Sequence, residues 1–134
     1  MTRDEYDRYL ACFNARDYRA MCGFYAPDVV LRMLGYAIVS RQGILDFYGF
    51  FHRHVRETIR ITRFVSDSEF LAIEAPTRLE AIEALTAEDL KRAGFGRLVT
   101  LDKGMTVELQ NMIHYDLRGG LFTEIRVGVY DPGA

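Results

Sequence analysis

The sequence predicts a single α+β domain, and three observations predict it. Apolar residues recur at helical spacing through the first fifty-odd positions, the period then changes to two, and no linker, repeat or low-complexity stretch divides the 134 residues. Hydrophobic residues make up 49% and charged residues 27% of the chain, a composition that supports one hydrophobic core.

Thr2 and Glu5 form a capping box ahead of Tyr6, Tyr9, Leu10 and Phe13, which predicts a helix over residues 3 to 14. Asp17 is placed to cap a second helix running through Met21, Phe24 and Tyr25 to a stop at Pro27. Strand character follows at Val29-Val30-Leu31, with a reversal near Gly35. Ser40 opens a third helix whose apolar face carries Ile44, Phe47, Tyr48, Phe51 and Val55, with His52, Arg53, His54 and Arg56 at its C-terminal end.

From Glu57 onward Ile59, Ile61 and Val65 alternate with polar residues, and Ser66-Asp67-Ser68 reverses the chain into a hairpin. On the return strand Leu71, Ile73, Ala75, Thr77 and Leu79 share a side, and Pro76 predicts a bulge or an edge. Residues 82–104 read as an insert, with a capping box of Thr86 and Asp89 over a short helix ending at Gly94, and are expected to cover a pocket mouth. Two long strands finish the chain: Val107, Leu109, Asn111, Ile113, Tyr115 and Leu117 face one way, and Ile125, Val127 and Val129 come after the Arg118-Gly119-Gly120 turn.

The composition excludes several classes of function. A net charge of −2 and a pI near 5.9 leave no electrostatic footprint for nucleic acid. No run of ~18 apolar residues predicts a membrane span, and the acidic N-terminus does not read as a secretory signal, so a cytoplasmic location is expected. Cys12 and Cys22 lie in helical, apolar segments and are expected to be reduced core thiols. His52 and His54 fall on different helix faces, so no metal is expected, and no glycine fingerprint calls for a nucleotide cofactor.

What remains are polar tips among inward-facing apolar residues: Tyr9, Tyr25, Tyr48, Tyr115 and Asn111. Such groups require partners, which they find in one another or in a ligand. An unpaired inward amide at Asn111 costs about 1 to 3 kcal/mol. Arg63 shares the parity of Ile59 and Ile61 and is expected at the pocket rim or reaching water. His114 and Asp116, with Glu108 and Gln110, read as a solvated or subunit-contact face.

The run from Tyr9 to Asp17, with Tyr25-Ala26-Pro27-Asp28, resembles the opening of the nuclear transport factor 2-like superfamily. The segment from Met112 through Gly119-Gly120 to Arg126 resembles the last two strands of its SnoaL-like and ketosteroid-isomerase-like members. The resemblance implies a cone-shaped, mostly antiparallel sheet with three N-terminal helices on its concave face. It also implies a pocket for a small apolar carbonyl compound, and a homodimer. Tyr9 matches the tyrosine that donates to the substrate oxyanion, supported by Tyr25 and Tyr48. Met33 occupies the position of the isomerase base, and Ile113, or Asn111 one pleat away, that of the second oxyanion-hole acid. Ile113 and Val127 stand where SnoaL-type cyclases carry a histidine and an aspartate. Phe13, Asn14 and Met33 stand where scytalone dehydratases need a tyrosine, an aspartate and another tyrosine.

The residues support two functional readings. In one, Tyr9 and Asn111 polarise a carbonyl for an isomerase, cyclase or dehydratase without cofactor, in a pocket lined by Tyr25, Met33, Tyr48, Phe51, Arg63, Ile113, Tyr115 and Val127. In the other, the protein is a non-catalytic binding module for an apolar ligand that has lost the acid/base pair.

Overall fold

A computed structural model describes residues 1–131. Helix α1 (Arg3–Asn14) begins on the expected capping box, in which the Thr2 hydroxyl accepts from Glu5 N–H at 3.1 Å and the Glu5 carboxylate accepts from Thr2 N–H at 2.8 Å. Asp17 caps α2 (Tyr18–Cys22). This helix is shorter than expected: Tyr25 already opens strand β1 (Tyr25–Met33), and Pro27 lies inside that strand. The proline is tolerated because β1 slips its register against its neighbour between Tyr25 and Val30, where no ladder bond requires its missing N–H.

Leu34 and Gly35, both at positive φ, turn β1 into β2 (Tyr36–Val39). Helix α3 (Ser40–His54) then runs directly into β3 (Val55–Ile59), and the Ser40 hydroxyl accepts from Gly43 N–H in its first turn. Next come β4 (Arg63–Ser66), β5 (Phe70–Ala81), α4 (Ala87–Ala93), β6 (Thr106–Arg118) and β7 (Leu121–Tyr130). The two-residue turn between β6 and β7 has both Gly119 and Gly120 at positive φ, the conformation only glycine takes without strain.

Among the described residues the strands form one sheet in the order β2-β1-β7-β6-β5-β3, with β4 also on β5. The β1–β7 pair is parallel and the others are antiparallel. The result is a strongly curled half-barrel with helices on its concave side. There Tyr6, Tyr9 and Phe13 of α1 and Ile44 and Phe47 of α3 meet Leu31, Leu71, Ile73, Ile113, Tyr115 and Phe122 in the main core. The segment 82–104 contributes Leu85, Leu90 and Leu101 to a smaller core with Val55, Leu79 and Ala81. Phe95 reaches from it to Phe47, ring centroids 4.8 Å apart.

The expected hairpin from β3 is interrupted. Ile59 pairs with Thr77 and Arg63 with Glu74, so the outer strand advances four residues while β5 advances three. This bulge lies opposite Pro76, as the proline predicts, and it reverses the inward–outward parity of β4. Phe64, opposite Ile73, packs on the core, whereas Val65 is 60% exposed. On the free edge of β3, the Asn14 side chain bonds both backbone groups of Ile59 at 3.0 Å.

Candidate functional site

Polar groups on the concave side fall into two sets. The first surrounds the Tyr115 end of β6. Tyr6 and Tyr115 share a hydroxyl–hydroxyl hydrogen bond, and Tyr9 and Tyr25 share another at 2.9 Å. Phe122 packs within 4.6 Å of Tyr115 and 5.0 Å of Tyr9, centroid to centroid, and all five rings are buried. Burial is the main cause that pushes each of these phenols well above its ordinary range, so they remain neutral hydroxyls. Tyr6, absent from the residues singled out by sequence, is as much a member as Tyr9. Its helical spacing to Tyr9 was the available signal.

Tyr48 is half-buried, and among the described residues its hydroxyl has no hydrogen-bond partner. Burial, then the nearby charge of Glu57 and the phenols of Tyr9 and Tyr6, raise it too. Its ring packs edge-on to Phe13 and stacks on His52.

The second set is nearer the other end of the concave face. Asn111, 7% exposed, donates from Nδ2 to the Thr77 hydroxyl at 2.9 Å, and Thr77 donates to the Ala75 carbonyl at 2.9 Å. Asn111 Oδ1 is buried with no partner. A half-turn of the amide would exchange acceptor for donor against the same Thr77 hydroxyl. Asn111 and Tyr115 are four residues apart on β6, about 13 Å at strand rise, so Tyr9 and Asn111 do not share one hydrogen-bond array.

A further chain of side chains, which the sequence does not assemble, runs from α2 through α3 to β3 beside Tyr48. His52, 2% exposed, joins Nε2 to Glu57 Oε1 at 2.9 Å and Nδ1 to the Tyr18 hydroxyl at 2.9 Å. Glu57 has the concave-face parity of Val55 and Ile59, and its side chain is 13% exposed. Its parity was legible; its partner, five residues back across a helix-to-strand junction, was not.

The other expected residues lie around these two sets. Ile113 is buried, and Met33, Phe51 and Val127 are half-buried and packed against the core. Met33 pairs with Val127 at the rim, where a depression of about 390 Å³ also touches Gly35 and Tyr36. Another, about 570 Å³, borders Asn111, Gln110, Met112, Thr62 and Glu74. Arg63 is a correction: the bulge turns it to the outer side, where its side chain is 77% exposed and lies 3.7 Å from Glu74. On that outer side Asp116 makes a bidentate pair with Arg126 at 2.7 and 2.9 Å, and His114 stacks edge-on with Phe70. Cys12 and Cys22 are free thiols. Among the described residues no cluster of metal-binding side chains occurs, and no helix is long and apolar enough to cross a membrane.

A curled half-barrel sheet with helices laid in its hollow is a nuclear transport factor 2-like fold, and the comparisons agree. The SnoaL-like domain matches residues 6–125, and the chain belongs to that family. A structure from Silicibacter sp. tm1040, provisionally assigned as a polyketide cyclase, is 22% identical with a TM-score of 0.74, covering 95% of this chain and 87% of that one. A second provisional polyketide cyclase, from Xanthomonas campestris, is 22% identical with a TM-score of 0.72, covering 89% and 82%. A Mycobacterium tuberculosis protein in complex with estradiol-17beta-hemisuccinate is 18% identical with a TM-score of 0.67, covering 92% and 88%. No functionally curated protein matches the chain.

Proposed function

We propose that this protein takes a small, apolar, carbonyl-bearing compound against the concave face of its sheet and moves a proton on it, as an isomerase, cyclase or dehydratase does, with no cofactor. The observation that carries the reading is the idle amide atom of Asn111. A buried polar atom without a partner costs about 1 to 3 kcal/mol, and a ligand group that pairs with it recovers that cost. Inward residues around it are incompletely covered: Leu109 and Val127 are half-buried and Val129, opposite Asn111, is 49% exposed. These mark the ligand-facing part of the sheet, and segment 82–104, packed on Val55, Leu79 and Ala81, borders it at Leu109. The steroid held by the mycobacterial relative supports an extended apolar ligand. Exposed Met112 on the outer face supports a homodimer formed through the sheet.

The alternative, a binding module without catalysis, is favoured by one observation: Tyr9, the expected oxyanion donor, already has its hydroxyl engaged by Tyr25. Saturation-transfer NMR with cyclohexanone, 2-tetralone and a steroid 3-ketone tests the shared premise. Binding by the wild type, weakened at least ~10-fold in Asn111→Leu as expected for one buried hydrogen bond, supports it. Equal binding by both proteins removes Asn111 from the site, and no binding of any ketone ends the reading.

A further inference from the structure

The proposed function leaves open which group takes the proton, since Met33, Ile113 and Val127 are unable to. Asp46 is exposed and hydrogen-bonded to Gln42 at 2.7 Å on the outer side of α3. Arg63 faces outward. Tyr6, Tyr9, Tyr25 and Tyr115 are paired among themselves. Among the residues of the described strands, Glu57 is a carboxylate with concave-face parity and a largely buried side chain.

We propose that Glu57 is the general base of this site and that His52 and Tyr18 hold it in place, an inference that rests on the ligand-binding reading above. A carboxylate only accepts hydrogen bonds, so His52 Nε2 must carry the hydrogen of the 2.9 Å contact with Glu57 Oε1. In a neutral imidazole Nδ1 is then an acceptor, and the Tyr18 hydroxyl donates to it at 2.9 Å in preference to its more distant second acceptor, the Tyr48 carbonyl at 3.4 Å. The chain is directed, from a half-buried phenol through a buried imidazole to a carboxylate with one oxygen engaged. Among the described residues Oε2 of Glu57 has no partner, and the side chain retains some exposure. Stacking of His52 on Tyr48, ring centroids 5.1 Å apart at an interplanar angle of 24°, with the Tyr18 hydroxyl bonded at the ring edge, fixes the plane in which Nε2 points.

The step balances without a co-reactant. Glu57 Oε2 forms an O–H bond with the hydrogen on the carbon next to the ligand carbonyl. The C–H bond breaks, and its electron pair becomes the enolate. Return of the proton from Glu57 to the same or a conjugated carbon completes an exchange or an isomerisation. The Tyr48 ring stacks on His52, and its hydroxyl, without a partner among the described residues, is a hydrogen-bond donor available to the enolate oxygen. Glu57 is the catalytic residue in this scheme, and His52 is a positioning residue.

The test is hydrogen–deuterium exchange at the α-carbons of 2-tetralone in heavy water, monitored by NMR, with saturation transfer reporting binding of the same probe. Wild-type protein is expected to accelerate exchange over buffer. Glu57→Gln, which retains the shape and an acceptor oxygen, is expected to lose ~100-fold or more while still binding. Glu57→Asp, a second variant in case the first folds poorly, is expected to fall between them. His52→Gln, which keeps a donor toward Glu57, is expected to retain more rate than His52→Phe at equal affinity, a split that a merely structural histidine would not produce. Bound probe with no exchange above buffer in the wild type, or undiminished exchange in Glu57→Gln, overturns the assignment and leaves ligand binding standing. Failure of the wild type to bind the probe defeats the underlying site instead.

Discussion

Around Tyr115, at one end of β6, four phenols are matched in pairs and sealed under Phe122; at Asn111, four residues away, an amide atom lies buried and idle. The same strands supply both regions. The difference teaches that buried polar residues in a curled sheet are not all evidence of recognition: where hydroxyls satisfy one another they hold the core, and only where the pairing is incomplete is there a group left for a ligand. In this structure the Tyr9 hydroxyl is engaged by Tyr25, whereas Asn111 Oδ1 has no partner.

The paired end is most vulnerable at Phe122. This residue is fully buried and touches Tyr6, Tyr9, Tyr25 and Tyr115, so Phe122→Ala is expected to cost about 3–5 kcal/mol in urea unfolding. A loss below ~1 kcal/mol would mean that this end is not tightly packed. Tyr9→Phe strands the Tyr25 hydroxyl and is expected to cost about 1–3 kcal/mol.

Asn111→Leu has the opposite expected sign. It removes an unsatisfied buried acceptor, while Thr77 keeps its bond to Ala75, so stability is expected to be unchanged or to rise by up to about 1 kcal/mol. Destabilisation by more than that would assign the amide to the framework as well.

Titration sharpens the contrast. Burial holds Tyr6, Tyr9, Tyr25 and Tyr115 above the ordinary phenol value near 10, so the folded chain binds these protons more tightly than the unfolded chain. That stabilisation is complete below about pH 10 and declines as pH rises beyond it. Ultraviolet titration should show these phenols ionising only as the protein unfolds; ionisation of all eight tyrosines in a folded protein near pH 10 would contradict the sealed cluster.

The smallest effect is expected outside the cone. The hydrogen bonds from Arg126 hold the Asp116 carboxyl below its ordinary range, a stabilisation present above about pH 4 and lost as pH falls through the depressed value. The two side chains are 37% and 41% exposed, and solvent screening limits Asp116→Asn to about 0.5 kcal/mol at neutral pH.

Much of the fold was legible because its signals are local. Both capping boxes, the Gly119-Gly120 turn and the alternation from Val107 to Leu117 are encoded within a few residues of one another. The misreadings share a physical origin in backbone irregularity. One extra residue between Ile59 and Arg63 turned Arg63 and Val65 outward, and the register slip in β1 made room for Pro27 in a strand where a helix stop was expected. At the site, the inward direction of Asn111 came from parity alone. Its unequal pairing, and the union of Tyr18, His52 and Glu57 from three different elements, depend on how α2 and the end of α3 lie over β3, which no local pattern records.

The two hydrogen bonds from Asn14 to Ile59 have a consequence for how copies of the protein behave at high concentration. An uncapped outermost strand invites a neighbouring molecule to continue the ladder, and such growth has no natural end. By imitating the missing backbone partner at the last residue of that strand, one carboxamide occupies a place where pairing would start. A residue that contributes to no ligand site thus guards the protein against polymerising through its own border.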